Sequence, residues 1–382
     1  MHAIITANNA VNNMWIHEHQ NWSNFTWDSE TLFCKLADIR YRQGRLFGRM
    51  EGLGFELKRE AGLITLTNDI VKSSAIEGEN LNPEEVRSSI ARRLGIDTAG
   101  LIPASRDVEG VVEMMLDATQ NFSKVLTKGR LFDWQAALFP TGRSGMQRIT
   151  VGGWRTIDTG PMQVVSGAIG REKIHFVAPG AERLEKEMAD FLSWFAGKSD
   201  VDPVLKAGIA HLWFVTIHPF DDGNGRIARA ISDMALSRAD GISDRFYSLS
   251  TQIESERKDY YKQLEKQQCG TPEITGWLEW FLNCLGHAIS SAEITLGKVL
   301  LKAQLWDKIN RNPVNERQRL VINRMLEDGF KGHMNTSKYA KLAKCSTDTG
   351  LRDIQELKAR GIFIQNLGGG RSTSYRLATR AE

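Results

Sequence analysis

A chain of 382 residues, 41% hydrophobic and 25% charged, has the composition of a soluble globular protein and length enough for two or three domains with a buried core. Its longest apolar runs, such as AALF at 136–139, fall far short of the ~20 residues of a membrane-spanning helix, and the opening MHAIITANNAVNNMWIHEHQ lacks the basic-then-apolar pattern of a secretory leader, so the expected location is cytoplasmic, with no membrane partner. The net charge of +3 is unevenly spread: residues 301–382 hold 16 Lys+Arg against 8 Asp+Glu, leaving 33 against 38 for the rest, which marks the C-terminal segment as a separate module with its own partner. Cys34, Cys269, Cys284 and Cys345 lie far apart without CxxC or Cys/His spacing and read as reduced, mostly packed thiols.

Taken in chain order, an aromatic-rich start (Trp15, Trp22, Phe25, Trp27) precedes a stretch from Ser29 to Glu60 in which Leu32, Leu36, Ile39, Leu46 and Met50 recur at helical spacing. A second helix is drawn over Leu63–Ile76 and stops at Gly78, a C-cap residue. Asn82, Pro83, Glu84 and Glu85 then supply a cap, a first-turn proline and acidic first-turn residues, so a third helix runs to about Gly95. Helical patterns cover 108–127 and 180–195. Between them the texture is β-prone at 148–151, 162–165 and 173–177, and the last two form an expected hairpin over 162–177. A long apolar helix over 203–217 delivers the chain to His218, and a further helix covers 227–239. Residues 285–305 are another apolar helical stretch. NRNPVN at 310–315 reads as the interdomain joint, giving expected divisions at 1–100, 101–309 and 310–382.

The chemistry concentrates in HPFDDGNGRIAR, residues 218–229. Gly223 and Gly225, around Asn224, permit a turn between two helices that exposes backbone N–H groups to an anion. The following helix adds the positive end of its dipole, which makes a phosphate site. Arg226 and Arg229, three positions apart, share one helix face and offer forked donors for phosphate oxygens. Asp222 is placed to hold a magnesium ion that bridges phosphates, and His218 to accept a hydroxyl proton. A lone histidine before proline or a lone GNG is commonly structural; the combination at this spacing is not.

These residues resemble the signature of the Fic family, HPFx(D/E)GNGRxxR, at every defined position. The resemblance implies a mainly α fold, a helical Fic core with a β-hairpin flap, and transfer of AMP from ATP to a Ser, Thr or Tyr hydroxyl of a target protein with release of pyrophosphate. By that resemblance His218 is the base, Asp222 the Mg²⁺ ligand, Phe220 a buried anchor, and Gly223, Asn224 and Gly225 the anion nest. Arg226 then binds the phosphates and Arg229 the γ-phosphate. Asp221, at the variable position, inherits no role and is expected to be a solvated loop acid. SSAIEG at 73–78 resembles the family's inhibitory motif (S/T)xxxE(G/N), with Ser73 and Glu77 in the defined places. Glu77 would pair with Arg229 and take the donor that binds the γ-phosphate.

The expected hairpin resembles the Fic flap, whose edge holds the target segment by strand addition, with Lys173, Ile174, His175 and Phe176 over the site. Tyr260 and Tyr261 stand where relatives contact the nucleotide, with Gln268 a weaker candidate. Residues 316–377 read as a winged helix-turn-helix, with helices near 316–328, 335–343 and 347–360 and two strands around a Gly-rich wing. Arg352, Lys358 and Arg371 are positioned to meet phosphates, so DNA or a protein is the expected partner there. Self-modification and a homodimer are further partner readings. A nucleotide-binding DNA-associated regulator and an enzyme that removes AMP from modified targets stand as alternatives.

Overall fold

In the computed structural model, the described residues are 14–96, 100–167, 171, 173–326, 330, 332–367 and 373–378. They fold as a mainly α protein in two compact units, residues 1–292 and 293–382. Among the described residues no helix is long and apolar enough to cross a membrane, and the four cysteines are free thiols, with Cys284 buried and Cys34 exposed.

The first unit opens with α1 (Ser29–Glu51), whose N-cap Asp28 accepts from the N–H groups of Glu30 and Thr31, satisfying donors a helix start leaves open. The stretch expected as one helix to Glu60 is broken: α1 ends at Gly52, and α2 (Phe55–Ile76) begins eight residues earlier than the expected Leu63. The pair Gly52 and Gly54, poor in a helix interior, makes the break. Then come α3 (Pro83–Arg93), capped by Asn82 with Pro83 at its first position, α4 (Arg106–Gln120) and α5 (Lys128–Leu138). A short antiparallel pair, β1 (Arg143–Ser144) with β2 (Gln147–Arg148), precedes the expected hairpin, formed by β3 (Gln163–Ser166) and β4 (Lys173–Val177).

After α6 (Leu184–Ala196) comes α7 (Pro203–Ile217), followed by α8 (Asn224–Asp240). Nearly every residue of α7 is buried, the pattern of a helix at the centre of a core rather than on its rim. It packs along α8; α4 lies on α8, α5 on α4, α6 on α7, and α2 runs beside α3 with contacts to α8. The N-terminal aromatics close one side, with Trp22 and Phe25 edge-on to Trp213 at centroid distances of 6.1 and 5.6 Å. Two short helices, α9 (Leu249–Ser255) and α10 (Arg257–Gln268), lead into α11 (Thr275–Arg311).

The second unit contains α12 (Glu316–Leu326), α13 (Thr336–Ala343) and α14 (Thr347–Ala359), then β5 (Phe363–Gln365) paired antiparallel with β6 (Tyr375–Leu377). Met334 forms an isolated antiparallel bridge with Tyr375. Its core is Ile309, Val321, Ile322, Met334, Tyr339, Ile354, Leu357 and Phe363 with their neighbours. Lys344, in left-handed backbone at φ 48°, turns the chain between α13 and α14.

Candidate active site

The end of α7 sets the histidine. His218 takes a left-handed conformation, φ 51° and ψ 59°, and its N–H still donates to the Phe214 carbonyl, closing the helix. Its Nδ1 lies 3.2 Å from the Val215 carbonyl oxygen. A carbonyl only accepts, so Nδ1 carries the hydrogen and Nε2 of the neutral ring is left with its lone pair. Burial, the largest influence, pulls the His218 pKa below the ordinary histidine value, against the opposing pull of the Val215 carbonyl. The neutral ring is therefore the favoured form, as a proton acceptor requires.

The loop after it is pinned from both ends. Asn224 is buried, and its side chain makes two reciprocal bonds with one residue: Oδ1 accepts from the Phe220 N–H at 3.0 Å and Nδ2 donates to the Phe220 carbonyl at 2.8 Å. Phe220 itself is wholly buried, 5.1 Å from the Trp154 ring and within 6.4 Å of Phe132 and Phe214. Asp221 departs from the expectation of a solvated acid. It is partly buried and its Oδ2 accepts from the Thr150 N–H at 2.8 Å, so it staples the loop to the segment before the flap. Arg155, buried and 63 residues away, donates through Nε to the His218 carbonyl at 2.8 Å and through Nη2 to the Pro179 carbonyl, while its own N–H reaches Pro219. It supplies cations and donors to the carbonyl end of α7, where a helix leaves acceptors unpaired.

Gly223, at φ 89°, is the N-cap of α8, a backbone that an L side chain rarely adopts. Asp222 is partly buried; its Oδ1 accepts from the Gly223 N–H at 2.6 Å and its Oδ2 from the Ser144 hydroxyl. A carboxylate has about four acceptor positions, so capacity remains for a cation. Mg²⁺ characteristically takes one or two carboxylates and completes its shell with phosphate oxygens and water, and this donor set fits that habit. Among the described residues no group of three His, Cys, Asp or Glu side chains comes together as a closed metal cage.

The first turn of α8 faces the end of α2. Arg229 is 1% exposed; its Nε donates to the Ser73 hydroxyl at 2.9 Å, and its Nη2 to the Ser73 carbonyl and to Glu77 Oε1, both at 2.8 Å. The Ser73 carbonyl is one of the acceptors left open at the end of α2, so the guanidinium also closes that helix. Gly225 is packed against the same carboxylate: a Cβ there would lie 2.1 Å from Glu77 Oε1. The Glu77 carboxylate thus stands against the first turn of α8, where an anion is favoured. Beyond Gly78, the Glu79 N–H returns to the Ser74 carbonyl, the wrap of a Schellman end, and Glu79 Oε2 receives Arg226 Nη1 at 2.6 Å. Arg226 is buried, with its guanidinium 5.1 Å from the Phe139 ring centroid. Burial raises the Glu79 pKa above the usual carboxylate value, opposed by Arg226. Arg226 Nε and Arg229 Nη1 have no hydrogen-bond partner among the described residues; both arginines have donors to spare for an oxyanion.

A cavity of about 690 Å³ opens beside this turn, lined by Glu77, His218, Gly225 and Tyr261 and roofed by the flap. Tyr260 lines it too, yet it is a core residue, its hydroxyl 2.9 Å from His211 Nε2. Tyr261 is 38% exposed and its hydroxyl donates to the Ile76 carbonyl at 3.3 Å. Gln268 is buried, its Nε2 3.4 Å from the Thr216 hydroxyl. On the flap, Ile174 is exposed, whereas Phe176 turns inward against Trp15 and His17. Lys173 and His175 both reach Glu265 on α10. In the second unit Arg352 and Lys358 are exposed on α14, Lys358 donating to Gln365; Arg371 lies outside the described residues. The sequence reading missed Glu79, Arg155 and Glu265. Glu79 was within reach as a second acid beside a helix-ending glycine, but nothing local marks Arg155 or Glu265.

Residues 15–96 match a domain of unknown function (DUF4172) and residues 125–236 match the Fic/DOC family. Protein adenylyltransferase Fic of Nematostella vectensis is 33% identical over 119 residues, 30% of this chain and 26% of that protein. Protein adenylyltransferase fic-1 of Caenorhabditis elegans is 28% identical over 127 residues, 33% of this chain and 23% of that protein. The chain thus aligns with about a quarter of the length of these curated relatives. A Fic family protein from Desulfovibrio desulfuricans G20 shares the fold in its crystal structure, with a TM-score of 0.51, 22% identity, and coverage of 91% of this chain and 97% of that one.

Proposed function

We propose that this chain, which belongs to the Fic family through residues 125–236, transfers AMP from ATP to a Ser, Thr or Tyr hydroxyl of a target protein and is restrained by Glu77. The observation that carries the reading is a His218 whose Nδ1 is held by the Val215 carbonyl and whose Nε2 has no hydrogen-bond partner among the described residues, on the cavity that also exposes the first turn of α8. The names of the related adenylyltransferases support the donor nucleotide.

In this mechanism the N–H groups at the start of α8, with Arg226 and Arg229, receive the phosphates by charge and fixed geometry. Asp222 would hold Mg²⁺, which supplies charge neutralisation for the polyphosphate. The acceptor hydroxyl is oriented beside His218, whose Nε2 takes its proton as the oxygen bonds to the α-phosphorus, and pyrophosphate leaves with the electrons of the broken bond. Asn224, Asp221 and Arg155 act through position, holding the loop so that His218 and the α8 turn keep their relation. Glu77 competes with the nucleotide for Arg229 and for the turn around Gly225. Incubation with α-labelled ATP and a cell lysate, followed by mass spectrometry of labelled peptides, tests the transfer. Absence of label with both wild type and Glu77→Gly would refute it.

Because Glu77 and His218 line one cavity, hydrolytic removal of AMP, with Glu77 orienting water, fits the same geometry; release of AMP from a labelled target distinguishes the two directions. We read the second unit as a winged helix in which α14 meets DNA, supported by the α13–turn–α14 order, the hairpin after it and the basic balance of residues 301–382. A DNA titration across a salt series tests this, since phosphate contacts make affinity fall steeply with salt.

A further inference from the structure

The flap carries a hydrogen-bonded chain that the transfer mechanism leaves unused. Val164 pairs with Phe176 but Val165 pairs with Ile174, so the register slips and His175 is an extra residue on β4. Such bulges re-aim a side chain, and here the imidazole stands between two elements. Its Nδ1 lies 3.0 Å from Glu265 Oε2 on α10, and its Nε2 lies 2.6 Å from the Ser166 hydroxyl on β3. The other carboxylate oxygen, Glu265 Oε1, receives Lys173 Nζ at 2.8 Å.

A carboxylate has no hydrogen to give, so Nδ1 carries it, and Nε2 of the neutral ring accepts from the Ser166 O–H. Hydrogen bonding from Lys173, the largest influence, holds the Glu265 carboxyl below the usual range, which keeps that end of the chain ionised. Carboxylate, imidazole and hydroxyl in this order are the arrangement that makes a serine nucleophilic. Ser166 is exposed, and Ser166, His175 and Glu265 all line the cavity that contains His218 and Glu77.

We propose that Ser166 is an activated hydroxyl of this cavity and the residue on which the chain adenylylates itself in cis. The Ser166 oxygen attacks the α-phosphorus of ATP and a new O–P bond forms. The bond from the α-phosphorus to its bridging oxygen breaks, and that electron pair leaves with pyrophosphate. The Ser166 proton passes to His175 Nε2, whose charge Glu265 balances, and from there to solvent, leaving AMP as a phosphodiester on the serine. The second half of this inference rests on ATP being the donor; the activation of Ser166 does not.

Two measurements separate these halves. A fluorophosphonate probe, added without nucleotide or metal, is expected to label Ser166, and His175→Gln is expected to slow that labelling about 100-fold or more, the usual span of a lost general base. Glu265→Gln, which keeps a hydrogen-bonding oxygen without the charge, is expected to slow it less. No adduct on Ser166, or equal rates in wild type and His175→Gln with matched melting temperatures, would overturn the activation. In Glu77→Gly protein with ATP and Mg²⁺, peptide mapping is expected to place AMP on Ser166 and to lose it in the added Ser166→Ala. AMP found only on other residues of the chain would overturn the self-modification while transfer itself stands. AMP on no protein of a lysate would overturn transfer and self-modification together, with the probe result still deciding whether the hydroxyl is activated.

Discussion

Replacing Glu77 by glycine is the change whose two consequences should have opposite signs. Glu77 Oε1 takes a charge-assisted bond from Arg229 Nη2 at 2.8 Å, and the arginine is 1% exposed. Bonds to charged groups are worth about 1.5–3 kcal/mol. Breaking a fully buried pair costs about 3–5 kcal/mol, but the Glu77 side chain is 32% exposed and Arg229 keeps both bonds to Ser73, so the lower range applies. Folding stability should therefore fall by about 1.5–3 kcal/mol, lowering the melting temperature by a few to about 10 °C for a unit of this size. Under the proposed restraint, the same free energy is what ATP must overcome to reach Arg229. Its removal should accelerate AMP incorporation about 10- to 100-fold, at 1.4 kcal/mol per tenfold. Initial rates with α-labelled ATP and a thermal melt on the same preparation read both effects. A lower melting temperature with unchanged or slower incorporation would show that Glu77 is only a structural partner of Arg229 and refute the restraint.

Four further outcomes are expected. Glu79→Gln, which removes the charge facing Arg226, should tighten ATP binding several-fold in a Glu77→Gly background, measured by calorimetry; equal affinities would show that Arg226 is not shared between Glu79 and phosphate. His218→Ala should lower incorporation by a factor of about 100 to 10,000 while calorimetric ATP affinity stays within about threefold, and loss of binding instead would move His218 from base to structural role. Asn224→Ala leaves the Phe220 N–H and carbonyl buried without partners and should cost about 2–4 kcal/mol in urea unfolding; a change under about 0.5 kcal/mol would show that the clamp is dispensable. His211, buried between Ser232 and Tyr260, has its pKa lowered by burial to about 3 from 6.5. The unfolded chain therefore binds a proton that the folded chain refuses between those values, and stability falls as pH drops from 6.5 toward about 3. His211→Phe should remove one proton's worth of that slope in urea melts across this range, and an unchanged slope would show that His211 is protonated in the folded protein.

The elements that were legible in the sequence have local signatures. Asn82 and Pro83 announce α3, the apolar run of 203–217 announces α7, and Gly78 closes α2 where expected. The turn from His218 into α8 was legible because its glycines, asparagine and arginines sit within 12 consecutive positions. The helix α5 went unseen although Leu131, Trp134, Gln135 and Leu138 form its buried face: a buried glutamine, donating to Thr150 O and accepting from Gly152 N, broke the apolar stripe. Asp221 was misjudged because its partner is a backbone N–H 71 positions away. Glu265 and His175 are 90 positions apart and meet through a bulge. Local propensity carries no information about such meetings; they follow from how helices pack.

The left-handed backbone at His218 sets stability against chemistry at one residue. A non-glycine side chain at φ 51° costs about 1–2 kcal/mol relative to the ordinary helical region, and asparagine or glycine would occupy it more comfortably. Arg155 and the Val215 carbonyl offset part of that strain, but they act on the ring and its carbonyl and leave φ as it is. Selection for a sturdier fold would therefore erode this position toward asparagine or glycine, and in the proposed mechanism selection for proton transfer is what holds the imidazole there. In copies of the chain released from the proposed transfer reaction, this should be among the first motif positions to drift, and the drifted proteins should melt higher than their ancestor.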